Sequence, residues 1–181
     1  VEDIFKMKSP GIEEDLNSIT VRISGLVHES VVDGPGIRTT VFFQGCHHGC
    51  PGCHNPETWD VKGGTEISLD DLIPRLKWNP LVAGVTFSGG EPFLQAGPAA
   101  ILGKNIKRMG LTLWVYTGFH WETLTDSKNP QFQELLETAD VLIDGPFIKN
   151  QQDLNLVFKG SRNQRVIDVQ ASLTMGKVVE L

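Results

Sequence analysis

From Ile19 the chain alternates apolar and polar residues through Ile-Thr-Val-Arg-Ile-Ser-Gly-Leu-Val, the period-two pattern of a half-buried strand ending near Val27. Asp33-Gly34-Pro35-Gly36 breaks that pattern with turn chemistry. The β-branched and aromatic run from Ile37 to Phe43 then predicts a second strand. Ser68, with Asp71 three residues on, predicts an N-cap for a helix over roughly 69–77, which Pro74 should bend or shorten. Val82 to Phe87 reads as a short apolar strand, 95–109 as a helix stopped by Gly110, and Leu111 to Tyr116 as a buried strand. Asn129-Pro130 opens a helix to about Thr138, Ala139 to Ile143 gives a strand, and Gln164 to Gln170 a last one. Residues 1–18 show no sustained periodicity and are read as an extension, with one loose helical turn near Glu13-Glu14-Asp15-Leu16; residues 19–181 are read as one domain.

Strand, polar loop, helix and strand recur, which is the grammar of a parallel α/β sheet. The informative polar clusters follow the strands: Cys46 to Asn55, Ser88 to Glu91, Thr117, and Asp144. In parallel α/β folds the loops at the carboxyl ends of the strands share one face, where ligands bind. Four separated pieces of sequence are therefore expected at one site. Composition adds mainly exclusions. The 181 residues carry 22 acidic against 16 basic side chains, net −6, with no basic stripe to neutralise a nucleic-acid backbone. No apolar run approaches the ~18–20 residues of a membrane span. The first residues, Val1 to Lys8, lack the basic and apolar regions of a signal peptide.

All three cysteines, Cys46, Cys50 and Cys53, fall within one short loop. An odd, clustered set fits metal binding in a reducing compartment, and places the protein in the cytoplasm. Two sites are compatible with this spacing. One is structural zinc, closed by one of His47, His48 or His54 into a Cys₃His set, as in a zinc-stabilised binding module. The other is a 4Fe–4S cluster bound by three thiolates, with one iron open to substrate. Gly49, Pro51 and Gly52 would let backbone wrap such a cluster closely. No Ser-His-Asp set, phosphate-binding loop or paired carboxylates compete for the chemistry.

Cys-x-x-x-Cys-x-x-Cys after a first core strand resembles the signature of radical S-adenosylmethionine (SAM) enzymes. Asp33 to Arg38 before it and Cys53-His54-Asn55 at its end resemble the glycyl-radical-enzyme activases. Ser88-Gly89-Gly90-Glu91-Pro92 resembles that family's motif for the SAM amine. Val141 to Phe147 and Gly160 to Arg165 look like the activating enzymes of anaerobic (class III) ribonucleotide reductase, and the likeness covers roughly Val21 to Val169. It implies an incomplete, TIM-like β/α barrel of about five to six parallel strands. It also implies one 4Fe–4S cluster on Cys46, Cys50 and Cys53, SAM as cofactor, and a flavodoxin- or ferredoxin-type electron donor. The expected product is a glycyl radical on a partner enzyme, generated by a cofactor-borne radical with no catalytic side chain.

The same resemblance assigns Gly89 and Gly90 to close approach of the methionyl group and Glu91 to the SAM ammonium. Backbone at Gly52, Cys53 and His54 would recognise adenine, since Gly52 stands where relatives often carry an aromatic residue. Thr117 would lie near the SAM carboxylate or ribose, or merely cap the next segment. Asp144 would bind ribose hydroxyls or a cation, or simply form a turn; Asn163 and Arg165 would contact SAM or the partner. Arg38 is expected to be structural or partner-facing. An activase of another glycyl radical enzyme, of the pyruvate formate-lyase type, and a small-molecule radical SAM enzyme remain alternatives.

Overall fold

The computed structural model describes residues 15–181, so most of the 1–18 extension lies outside the described residues. Asp15 to Ser18 form a turn, closed by the Ser18 amide donating to the Asp15 carbonyl at 2.9 Å. The alternating segment and the run after the turn become β1 (Thr20–Ser30) and β2 (Ile37–Phe43). The chain continues through β3 (Thr65–Ser68), α1 (Leu69–Leu76), β4 (Val82–Gly89), α2 (Ala96–Arg108) and β5 (Thr112–Tyr116). It closes with α3 (Trp121–Thr125), α4 (Pro130–Thr138), β6 (Val141–Asp144), β7 (Arg165–Asp168) and α5 (Val169–Met175).

The seven strands form one open sheet in the order β3-β1-β2-β4-β5-β6-β7. β2, β4, β5 and β6 are mutually parallel, with helices crossing between them, as an incomplete β/α barrel requires. The parallel set numbers four strands, fewer than the five to six expected. The reason lies in the connections. β1 meets β2 through a tight turn, and a strand joined so shortly to its neighbour runs antiparallel. β7 returns from β6 through a loop without a full crossover helix and is likewise antiparallel.

Local chemistry sets the helix ends. The Ser68 hydroxyl accepts the Asp71 amide at 3.1 Å, and α1 ends two residues after Pro74. Gly110, at φ +73°, lets Leu111 turn back and donate to the Ile106 carbonyl at 3.2 Å, stopping α2.

Strand alternation divides the sheet into two faces. Val41, Phe43, Val85, Phe87, Leu113, Val115 and Leu142 pack outward with Leu72, Leu102, Ile106 and Leu135 of the helices. Each such side chain, fully buried, contributes about 1.5–3 kcal/mol. The inner face carries Trp114, Val141 and Ile143, backed by Tyr116 and Phe158. It also carries Arg38, which is wholly buried. Its guanidinium donates to Thr86 Oγ1 (2.8 Å), Thr112 Oγ1 (3.0 Å) and the carbonyls of Val85 (2.7 Å) and Thr112 (3.2 Å), and lies over the Trp114 ring. Burial lowers its pKa to about 10. Arg38 thus ties β2, β4 and β5 together at the end of the sheet away from the cysteines, the structural alternative of the two expected.

Candidate active site

The carboxyl ends of β2, β4, β5 and β6 lie side by side, because those strands are parallel neighbours. The cysteine loop leaves β2 and is closed at its base like a noose. Gly45 donates to the Thr58 carbonyl at 2.7 Å and Cys46 to the Trp59 carbonyl at 3.2 Å. The buried Gln44 amide reinforces this by donating to the Asp60 carbonyl at 2.7 Å. Inside the loop, Cys53 donates to the Cys50 carbonyl at 3.0 Å, and the Asn55 amide to Cys53 Sγ at 3.4 Å. Gly49 and Gly52 sit at φ +58° and +79°, a conformation that a β-carbon would strain. All three thiols are free and half-buried. Burial pushes the Cys46 thiol up, while the His48 backbone N–H works in the opposite direction.

The turn after β4 is stitched to this loop. Gly90 donates to the Phe43 carbonyl and Glu91 to the Gly45 carbonyl, each at 2.8 Å. A β-carbon on Gly90 would collide with the Gly45 carbonyl oxygen, so glycine here is required by the approach of two backbones. Glu91 itself is 1% exposed. Its carboxylate accepts from the Phe93 amide (3.0 Å), the Thr117 hydroxyl (2.9 Å), the Gly118 amide (2.9 Å) and His48 Nε2 (2.7 Å).

A cavity of about 540 Å³ opens over these strand ends. Cys46, Cys50, Cys53, His54, Gly89, Gly90 and Thr117 all line it. His54 packs against Phe147, ring centroids 4.8 Å apart, and both face the cavity. Gly52, Glu91, Asp144 and Asn163 are not among the lining residues. Gly52 lies under the Lys149 side chain. Asp144 is fully buried and bound by Arg165 Nε at 3.0 Å and the Trp121 amide at 2.8 Å. Arg165 also reaches Glu122, and both carboxylates hold its guanidinium well above its ordinary pKa. Asn163 donates to the Pro146 carbonyl at 2.8 Å, and its Oδ1 has no partner among the described residues.

Tyr116 and Phe158, not singled out in the sequence, line the cavity, as does Asp33, quoted there within the Asp33-to-Arg38 motif but given no site role. Asp33 accepts from Ser30 at 2.6 Å and Thr40 at 2.8 Å, and Tyr116 donates to the Phe158 carbonyl at 2.6 Å. Tyr116 had a signal: it is two residues from Trp114 and four from Thr112, on the inner-facing register of β5. Phe158 had none, since its loop shows no periodicity.

The donor set can be tested for what it would hold. Among the described residues, no three His, Cys, Asp or Glu side chains converge as a single metal ion requires. The three thiols instead surround one side of a roomy cavity, which suits a group larger than one ion and does not favour a tetrahedral Cys₃His set. The Trp59 indole N–H, on a residue lining the same cavity, is buried without an acceptor among the described residues. Thiolate donors with a spare N–H nearby fit an iron–sulfur cluster.

Comparison with known proteins agrees. The family described as a 4Fe-4S single cluster domain matches residues 32–167. The chain is 38% identical over 143 residues to the anaerobic ribonucleoside-triphosphate reductase-activating protein of Vibrio cholerae, covering 74% of this chain and 89% of the relative. The protein of the same name from Escherichia coli K12 is 35% identical over 145 residues, covering 75% and 91%. The pyruvate formate-lyase-activating enzyme of Clostridium pasteurianum is 36% identical over 148 residues, covering 78% of this chain and 59% of the relative. With three thiols around one cavity, the matched cluster domain and two relatives covered to about nine-tenths of their length, the chain belongs to the radical SAM 4Fe-4S single cluster family, among the activating enzymes of glycyl radical enzymes.

Proposed function

We propose that this protein activates an anaerobic ribonucleoside-triphosphate reductase by generating a glycyl radical on it. The observation that carries the reading is the convergence of Cys46, Cys50 and Cys53 with the Gly89-Gly90 turn on one open cavity. Coverage supports the reductase as partner: the chain spans 89% and 91% of two reductase-activating relatives, against 59% of a pyruvate formate-lyase activase.

The three thiolates would hold a 4Fe–4S cluster, and the backbone at Gly89 and Gly90 would approach the methionyl part of SAM. When bound, the cluster and SAM supply reductive cleavage to a 5′-deoxyadenosyl radical, the difficult step of the reaction. The chain's own work is to bind, orient and shield. The noose at Gly45–Thr58 presents the thiols, and the His54–Phe147 pair offers a flat apolar wall for a base. Thr117 lines the cavity, but its hydroxyl donates to Glu91 and accepts from the Phe119 amide, which leaves one lone pair as the free acceptor. The open sheet leaves a side through which a partner's glycine-bearing segment enters. Exposed Val31, Val32, Leu154 and Val157, on the two loops that supply Val32, Leu156 and Phe158 to the cavity, give that segment an apolar rim. The electron would come from a flavodoxin- or ferredoxin-type donor in the reducing cytoplasm, where three clustered free thiols persist.

Anaerobic reconstitution should load about four irons per chain, as a 4Fe–4S cluster demands. Addition of reductant and SAM should then release methionine. A colourless protein that takes up one zinc and no iron would overturn the proposal.

A further inference from the structure

We propose that His48 and Glu91 form a positioning pair that fixes the cysteine loop against the end of β5. Gly118 is a glycine because the His48 ring fills the space its side chain would take. This rests on the iron–sulfur reading of the site. It departs from the role that resemblance gives Glu91, as a group reserved for the SAM ammonium.

Glu91 makes the case first. Four donors from three separate segments occupy its carboxylate: His48 of the cysteine loop, Phe93 of its own turn, and Thr117 with Gly118 after β5. At 1% exposure, and absent from the cavity lining, it has no free face for a ligand. Of those four donors, only His48 belongs to the cysteine loop. At 2.7 Å this contact is short, as a charge-assisted bond should be.

His48 lines the cavity and is also held by ring contacts. Its ring stands edge-on to Phe119, centroids 4.7 Å apart at 74°. The Phe119 amide in turn donates to Thr117 Oγ1 at 3.1 Å, so the residue packing on His48 and the residue bound to Glu91 are locked together. A β-carbon on Gly118 would drive into the His48 ring. Gly118 has no positive φ to explain its identity, so the close ring is the physical reason for a glycine there. On the loop side, His48 stands midway between Cys46 and Cys50, two residues from each. The connection therefore runs from a buried carboxylate through one imidazole to the arc between the first two thiols.

The connection matters because the loop's other internal bonds stabilise its second half. Cys53 to Cys50 and Asn55 to Cys53 order residues 50–55. Between Cys46 and Cys50 lie two histidines and Gly49, and His47 is exposed. Without the His48 tether this arc would have to be ordered on cluster binding, losing its backbone freedom at that step. Groups that orient metal ligands in this way typically change metal affinity by about 10–100-fold when removed.

The test is a cycle of variants read by iron retention rather than turnover. H48A, H48Q, G118A and H48A/G118A are reconstituted anaerobically, and iron release to an excess of chelator is timed. Melting of each metal-free protein is followed by circular dichroism. H48A should lose iron about 10–100-fold faster than wild type while its metal-free melting stays close to wild type. H48Q, whose amide N–H reaches the same carboxylate, should recover most of the retention. G118A should release iron quickly when His48 is present and add nothing in the H48A background, where the ring is gone. Equal retention in H48A and wild type would overturn the pairing, as would a G118A effect of the same size in both backgrounds. A wild-type protein that takes up no iron would instead overturn the functional reading on which the pair depends. If H48A fails to fold, H48Q and G118A still decide: near-wild-type retention in G118A, or no recovery in H48Q, contradicts the proposal.

Discussion

Glu91→Gln is the sharpest perturbation of the metal-free fold, because it exchanges one oxygen for an amide nitrogen and leaves the shape intact. The carboxylate now accepts from Phe93 N, Thr117 Oγ1, Gly118 N and His48 Nε2 within 3.0 Å. A glutamine keeps one acceptor oxygen, enough for Phe93 and Thr117. Its NH₂ group then faces the Gly118 amide and His48. His48 can respond by presenting its unprotonated nitrogen, keeping a bond but losing charge assistance, at about 1 kcal/mol. The Gly118 N–H cannot adapt, and a buried unsatisfied donor costs about 1–3 kcal/mol. The expected loss is therefore about 2–4 kcal/mol, a large part of the ~5–15 kcal/mol that holds a typical domain. Urea unfolding of the metal-free protein, with an unchanged slope, measures it directly. A loss below about 0.5 kcal/mol, within the range of ordinary surface changes, would refute the hub. If stability held and SAM binding alone disappeared, Glu91 would be the ligand group that the resemblance implied.

Gly90→Ala should destabilise the metal-free protein by about 1–3 kcal/mol, the usual cost of overpacking, because its β-carbon meets the Gly45 carbonyl; thermal melting checks this. Arg38→Met should cost at least about 2 kcal/mol, since it strips the buried Val85 and Thr112 carbonyls of a charged donor, and Arg38→Lys should rescue only part of that in urea titrations. On the acid side, Arg165 holds the Glu122 carboxyl below its ordinary range. That contribution is present above the unfolded pKa and is lost as pH falls through the lower folded value. The Glu122 side chain is 59% exposed, so solvent screening keeps the effect within ~0–1 kcal/mol. Glu122→Gln should accordingly lower stability slightly at neutral pH and leave it unchanged in acid, where the contribution is already lost, so that urea unfolding followed against pH shows a slightly flatter acid limb.

Much of this architecture was written in short-range patterns. The run from Ile37 to Phe43 is β2 at both ends, and Ser68, Gly110 and Asn129-Pro130 mark helix boundaries with specific bonds. The thiols were legible because three cysteines in one loop have few other uses. What escaped were elements whose signal is weak or belongs to the tertiary structure. β3 is four residues long and exists by pairing antiparallel with β1. α3 spans five residues, shorter than a helical pattern needs to declare itself. α5 was merged with β7, because Val169 continues the apolar run of the strand; Asp168, accepting the Ala171 amide at 2.9 Å, is the cap that divides them. Glu91 is the most instructive residue. Its motif pointed to a cofactor, but only the fold brings His48, Thr117 and Gly118 around it. Asp144 behaves alike: its ion pair with Arg165 depends on the antiparallel return of β7 beside β6.

The central claim is that these three thiols serve radical transfer to a protein glycine. Its direct test is to mix the anaerobically reconstituted protein with SAM, a low-potential reductant and an anaerobic ribonucleoside-triphosphate reductase, then record an electron paramagnetic resonance spectrum. A glycyl radical signal on the reductase is predicted, lost when any of Cys46, Cys50 or Cys53 is replaced by alanine. A protein that carries its iron and cleaves SAM, yet leaves the reductase without that signal, would contradict the account.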